Sequence, residues 1–262
     1  MAEPKRISLW ETGKAPYTED SPGQKEPSLE AYPSRGARGA VVVVPGGGYT
    51  AKTPYEGAPI AKLFTSVGIA GFVLDYRVAP CHHKAPIADG LRAIKVLRSL
   101  GYEKTAIVGF SAGGHLTCAV ATMFDEGDPN ASDPVERFSS RPDAFIPCYA
   151  VASFGEYTHM GTRESLLGKY KNDEEMIKRY STELRVTDKT PPAFIWHTAT
   201  DDDVPVQNSL LLAKALADNG VPFELHVYPD GPHGLGLAQE FTPAASWAGS
   251  LCSFLLERGF GR

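Results

Sequence analysis

The sequence predicts an α/β fold, with a mostly parallel central sheet flanked by helices, on three observations. Residues 40–44 (AVVVV) and 69–75 (IAGFVLD) are continuous apolar runs, the mark of strands buried on both faces. Segments with apolar residues at helical spacing alternate with these runs, which calls for parallel strands joined by right-handed crossovers. Residues 106–108 run through Gly109-Phe110-Ser111-Ala112-Gly113 into a helix-like stretch over 112–123, so a serine stands at a sharp strand-to-helix bend.

Composition sets the outer limits. With 262 residues the chain can bury about three quarters of its unfolded surface as one unit, so 1–262 reads as a single domain. Hydrophobic residues make up 42% and charged residues 22%, with a net charge of −5. There is no basic excess to draw nucleic acid or an anionic membrane. Cys81, Cys118, Cys148 and Cys252 are far apart, with neither metal-ligand spacing nor a disulfide framework. Neither a metal nor an organic cofactor is expected, and nothing opposes a homo-oligomer. The opening MAEPKRISLW has no apolar signal core, and no run reaches the 18 or so apolar residues of a membrane span, so a cytoplasmic location is expected.

In chain order, residues 1–39 read as an irregular lead-in with a short strand around 7–10, tacked down by Leu29 and Tyr32. The strand over 40–44 stops at Pro45-Gly46-Gly47-Gly48-Tyr49, a loop whose amides can approach another group without side-chain interference. No nucleotide-binding glycine pattern is present. A helix over 55–67 and the strand over 69–75 follow. The helix over 85–100 turns Ile87, Leu91, Ile94 and Leu97 inward and Arg92, Lys95 and Arg98 outward, with Asp89 as a first-turn acid. After the Ser111 unit comes a strand over 143–151, with Pro147 an oddity near its middle. Residues 152–190 lose the pattern apart from a helical piece over 173–180, and read as a lid insertion at the carboxyl ends of the strands. The sheet resumes at 193–198. A helix over 206–219 stops at Gly220, a strand over 222–228 alternates, and a last helix spans 243–258.

A serine hydroxyl needs an imidazole to take its proton and an acid to fix that imidazole's tautomer. After a strand-turn serine of this kind the acid precedes the histidine along the chain. Only His226 and His233 follow the Asp201-Asp202-Asp203 cluster. His226 lies inside an alternating strand, whereas His233 sits in a Gly-Pro-rich loop just beyond it and is the expected base. Of the three acids Asp201 is favoured as the first after the strand, ahead of Asp203, which also suits a helix cap, and Asp202. His197 reads as structural, and His115 lies one turn beyond the serine.

VVVVPGGGYT, DYRVAP, VGFSAGGHL, TPPAFIWHTATDDDVPVQNSLLLAKAL and PFELHVYPDGPHGLGLA together resemble the α/β-hydrolase superfamily, and within it the small acetylxylan-esterase-like carbohydrate esterases akin to BD-FAE proteins. The matching stretches spread over residues 40–240. Around the acid, the H-x-x-x-D-x-x-V-P pattern of His197, Asp201, Val204 and Pro205 is similar to that of prolyl-oligopeptidase-type peptidases. The resemblance implies Ser111 as nucleophile with Asp201 and His233 as partners, and an oxyanion hole from Gly47 or Gly48 with Ala112. It also implies an acetyl-ester substrate on xylose-type sugars. A general short-chain carboxylesterase or a peptidase is the alternative. Where many esterases have His-Gly-Gly-Gly, this chain has Pro45-Gly46-Gly47-Gly48, which leaves Gly47 and Gly48 both as candidate donors. Tyr49, Trp196 and Tyr157 are candidate sugar-facing aromatics, each also suited to the core or to a loop.

Overall fold

The computed structural model describes residues 4–261; the first three residues of the lead-in and Arg262 lie outside them. Among the described residues eight strands and seven α-helices follow in order: β1 (Lys5–Ser8), β2 (Ser28–Tyr32), β3 (Gly39–Val44), α1 (Ala58–Ser66), β4 (Ala70–Asp75), α2 (Ala85–Ser99), β5 (Lys104–Phe110), α3 (Ala112–Thr122), β6 (Ala144–Cys148), α4 (Met160–Leu167), α5 (Glu174–Tyr180), β7 (Ala193–Thr198), α6 (Gln207–Asp218), β8 (Phe223–Tyr228) and α7 (Trp247–Glu257). The strands form one sheet in the order β1-β2-β4-β3-β5-β6-β7-β8. From β4 to β8 every pairing is parallel, and β1 and β2 add an antiparallel edge. No helix among the described residues is long and apolar enough to cross a membrane.

The two faces of the sheet carry separate cores. Val42 and Val44 join Ile94, Leu97, Leu116 and Leu212 from α2, α3 and α6. Val41 and Val43 join Ile60 and Phe64 of α1 and Leu251 and Phe254 of α7. Helices on both sides explain why β3 is an unbroken apolar run with every residue buried.

Several expectations change. The lead-in is not irregular: β2 pairs with β4, because Leu29 and Ala31 face the core beside Phe72 and Leu74 while Glu30 stays partly exposed. Arg92 and Lys95 are buried. Arg92 donates to the Leu9 carbonyl (2.7 Å) and pairs with Asp133 and Glu136, while Lys95 pairs with Asp125 and Glu136. The lead-in and residues 125–137 thus cover a helix face that periodicity alone assigns to solvent, and the guanidinium groups of Arg77 and Arg92 both lie over the Trp10 ring, 5.7 and 5.6 Å from its centroid. Asp89 is no helix-start acid; fully buried, it holds Arg77 through both its oxygens. Residues 152–190 contain α4 besides α5, the former capped by His159 and the latter by Asp173. Pro147 is accommodated inside β6: Phe145 and Tyr149 donate to the β7 side, so the proline costs one bond of that ladder.

Candidate active site

The bend between β5 and α3 puts Ser111 at φ 54° and ψ −118°, a conformation that costs a non-glycine residue strain and persists only where packing fixes it. That packing is visible in the glycines. A Cβ on Gly109 would lie 2.2 Å from the Gly113 carbonyl oxygen, and one on Gly113 would lie 2.3 Å from that of Val44. The serine N–H donates to the Cys148 carbonyl (3.1 Å), and its own carbonyl accepts from His115 (3.0 Å) and Val151 (3.3 Å).

The loop after β8 brings His233 to this bend. His233 Nε2 stands 2.8 Å from Ser111 Oγ, and Nδ1 stands 2.7 Å from Asp201 Oδ2. A carboxylate only accepts, so Nδ1 carries the proton and Nε2 is left to accept from the serine hydroxyl. The Asp201 side chain is fully buried, whereas His233 keeps 16% exposure. Asp201 Oδ1 accepts the N–H groups of Asp203 (3.1 Å) and Val204 (2.9 Å), and His197 Nε2 lies 3.2 Å from Oδ2. Burial pushes this carboxyl up, but the hydrogen bonds from His197, His233 and Val204, with the charge of His233, outweigh it and hold the group well below the usual carboxylate range. Asp201 therefore meets the imidazole. Asp202 is exposed, and Asp203 caps no helix, because α6 begins at Gln207 without a side-chain cap.

Of the glycine loop, Gly46 is committed: its N–H donates to Glu56 Oε2 (2.8 Å), and a Cβ there would lie 3.1 Å from Ser111 Cβ. Gly47 and Gly48 have φ of 124° and 62°, open to glycine. Their amides, and that of Ala112 at the start of α3, donate no hydrogen bond among the described residues. Free amides on both sides of a serine can receive the charge that develops on a carbonyl oxygen.

Other residues found in the sequence fall outside this cluster. Tyr49 and Trp196 are buried and cannot face a sugar. Tyr157 is half-buried, its carbonyl accepting from Asn208 (2.8 Å). His226 stacks on Phe194 (4.7 Å) and bonds Glu224 (3.1 Å). His115 donates from Nε2 to the Tyr180 carbonyl and accepts at Nδ1 from the Tyr49 hydroxyl, both at 2.8 Å. Burial pushes its imidazole down to about 4, so the ring is neutral near pH 7. Among the described residues no group of His, Cys, Asp and Glu is arranged to hold a metal ion.

Two further site residues escape sequence reasoning. Glu56, 2% exposed, accepts from Gly46 and also from the Tyr149 hydroxyl (2.6 Å). That hydroxyl accepts the Gly236 N–H (2.9 Å), and the Tyr149 ring meets His233 edge-on at 5.1 Å. Burial raises the Glu56 carboxyl, and the bonds from Tyr149 and Gly46 and the nearby His233 only partly offset this. A place just beyond the carboxyl end of β6 is the signal for Tyr149. Nothing local distinguishes Glu56.

Comparison with known proteins identifies the family and the fold that carry this cluster. The BD-FAE family model matches residues 31–216. The chain is 37% identical over 247 residues, 90% of its length, to endo-1,4-β-xylanase B of Butyrivibrio fibrisolvens, and 33% identical over 214 residues, 77% of its length, to an acetylxylan esterase of Xylanibacter ruminicola. It spans only 38% and 42% of those two proteins. The crystal structure of an acetyl ester-xyloside bifunctional hydrolase from Caldicellulosiruptor lactoaceticus superposes with a TM-score of 0.91 at 40% identity, over 99% of this chain and 98% of that one. Elbow, glycine loop and histidine loop thus sit on a fold shared along the whole chain with esterase relatives, and the chain belongs to the BD-FAE family of α/β-hydrolases.

Proposed function

We propose that the chain is a serine esterase that removes short acyl groups, acetyl above all, from xylo-oligosaccharides or related sugars. One observation carries the reading: an unbroken hydrogen-bonded line from Ser111 Oγ through His233 to buried Asp201, at the carboxyl rim of the parallel sheet. Similarity to an acetylxylan esterase and to an acetyl ester-xyloside hydrolase supports the choice of ester.

In this mechanism His233 Nε2 takes the Ser111 proton as Oγ attacks the acetyl carbonyl carbon, and Asp201 stabilises the imidazolium that forms. The carbonyl oxygen, now anionic, is met by the amides of Ala112 and of Gly47 or Gly48; losing one such donor lowers turnover by about 100-fold or more. Collapse breaks the bond to the sugar oxygen, which leaves with the proton from His233, and Ser111 stays acetylated. Water, deprotonated by His233, then attacks the acetyl-serine, and acetate leaves as Oγ recovers its proton. The reaction uses only protons and an acyl group, all handled by these side chains.

The test is acetate release from acetylated xylo-oligosaccharides and hydrolysis of p-nitrophenyl acetate by the intact chain and by Ser111→Ala. The intact chain is expected to cleave both and to be labelled at Ser111 by a phosphonate, and Ser111→Ala to lose both activities by at least about 1000-fold. Undiminished hydrolysis by Ser111→Ala removes the serine from the mechanism; aminopeptidase activity without acetate release moves the substrate class to peptides.

A further inference from the structure

With Tyr49 and Trp196 buried, the aromatic surface at the sheet's carboxyl rim lies elsewhere. The Tyr17 ring stacks on His82 with centroids 4.7 Å apart and planes 8° from parallel, and His82 stacks in turn on His83 at 4.2 Å. Tyr170 and Tyr180 close the far end edge-on to His83, at 5.7 and 5.6 Å. Tyr180 is buried, whereas Tyr17 and Tyr170 remain 38% and 37% exposed. Tyr17 ends the column, with one ring face on His82 and more than a third of the residue open to solvent. The three-ring stack draws on two stretches distant in sequence, the lead-in and the loop after β4, and Tyr170 brings in a third, the insertion after β6.

Tyr17 is also held at φ 62°, a left-handed conformation unfavourable for a bulky side chain. Neighbouring contacts fix it there: Arg77 donates to the Pro16 carbonyl (2.5 Å), and the His82 N–H donates to Ser21 Oγ (3.2 Å). Backbone strain held in place beneath an exposed aromatic ring is a mark of a working surface.

The column joins the site from two directions. Ala79, in the same loop as His82, donates its N–H to the carbonyl of Tyr49, the residue after Gly48 (2.6 Å). Tyr180, which touches His83, accepts at its carbonyl from His115, whose own N–H bonds Ser111 O (3.0 Å). The loops after β3, β4 and β6 leave the carboxyl ends of parallel strands, where such sheets bind ligands, and the β1–β2 connection lays Tyr17 against the loop after β4. A rigid tyrosine face offers apolar contact at small entropic cost, and its electron-rich face suits the C–H face of a pyranose ring. Lys169, its ammonium 5.1 Å from the Tyr170 centroid, adds a donor for sugar hydroxyls at the edge of this surface.

We propose that Tyr17, backed by the His82–His83 stack and flanked by Tyr170, is a platform for a pyranose ring of the sugar chain that carries the ester cleaved at Ser111. This rests on the sugar-ester reading above and deepens it, by assigning the contact that separates an oligosaccharide ester from a small acetate ester.

Two measurements test it apart from that reading. The first compares Tyr17→Ala, Tyr17→Phe and Tyr170→Ala with the intact chain on acetylated xylo-oligosaccharides and on p-nitrophenyl acetate. Tyr17→Ala is expected to raise KM for the oligosaccharide about tenfold with kcat unchanged, Tyr170→Ala to raise it less, and Tyr17→Phe, which keeps the ring, to match the intact chain. Hydrolysis of p-nitrophenyl acetate stays the same in all three, which also shows that each variant is folded. The second titrates unacetylated xylo-oligosaccharide calorimetrically into Ser111→Ala with and without Tyr17→Ala, a readout that needs no catalysis. Equal affinity of the two, or an unchanged oligosaccharide KM in a folded Tyr17→Ala, overturns the platform. An intact chain that cleaves p-nitrophenyl acetate but no sugar ester overturns the substrate reading instead.

Discussion

Asp201 faces two imidazoles on Oδ2 and two backbone N–H groups on Oδ1, so it can neither rotate nor release His233 without breaking several bonds at once. Asp201→Asn is expected to keep the fold but to present an NH2 group where a carboxylate must accept, which favours the wrong His233 tautomer; kcat on p-nitrophenyl acetate should fall about 10⁴-fold with an unchanged circular dichroism spectrum. Glu56 acts on the other side of the serine, between the glycine loop and Tyr149. Glu56→Ala strands the Gly46 N–H and the Tyr149 hydroxyl in a buried place, so the urea midpoint should fall by the equivalent of about 1–3 kcal/mol and kcat should fall with it; an unchanged midpoint would show that water satisfies both groups. Ser111, Asp201 and His233 were legible in the sequence because chain order and strand ends constrain them. Glu56 was not, since its burial depends on residues 149 and 236, which the sequence keeps far away.

Among the elements, α2 shows where periodicity misleads. Its apolar stripe is real, but Arg92 and Lys95 are also covered, because the lead-in and residues 125–137 bring matching acids and carbonyls over them, and Asp89 is buried against the Arg77 guanidinium. Charged residues at outward helical spacing carry no sign of such a cover, so the sequence could not show it. Asp89→Ala leaves the Arg77 guanidinium, 3% exposed, without its buried partner and is expected to cost about 3–5 kcal/mol, measured by denaturant unfolding. The glycines of two helices make a paired test. Gly113→Ala drives a methyl into the Val44 and Pro45 carbonyls and should abolish both the elbow and stable folding. Gly249→Ala, on the exposed side of α7 with nothing within 4 Å, should instead add about 0.5–1 kcal/mol and raise the melting temperature. The buried parallel strands and their crossover helices were readable from apolar runs alone. β2 was not, for five residues with two facing the core give too short a pattern, and α4 is set by its His159 cap and not by a hydrophobic face.

Across the whole molecule, ionic contacts set the response to acid. Burial raises the carboxyls of Asp75, Asp125 and Asp133, yet Lys52 and Arg6, Lys95 and Ser140, and the Val135 N–H with Arg92, respectively, bring each below its ordinary value; Asp201 behaves likewise. Groups depressed in the folded state add stability that is present above the unfolded pKa of about 3.9 and is lost as pH falls through the folded values. Glu56 and Glu183, raised by burial, work the other way, and their cost eases as pH drops toward about 4. The melting temperature should therefore hold level or rise slightly from pH 7 to about 5 and drop below about 4; a steady fall from pH 7 would contradict the assignment. The same breadth of connection gives His115 a mechanical part. One ring bolts Tyr49, next to the oxyanion glycines, to Tyr180 in the segment that arches past α3. The glycine loop and the segment around Tyr180 thereby share a buried strut, so loosening one should loosen the other. In His115→Phe, which loses both hydrogen bonds, amide hydrogen exchange should quicken together around residues 47–49 and 180–182, and quickening at one stretch alone would show that the two loosen separately.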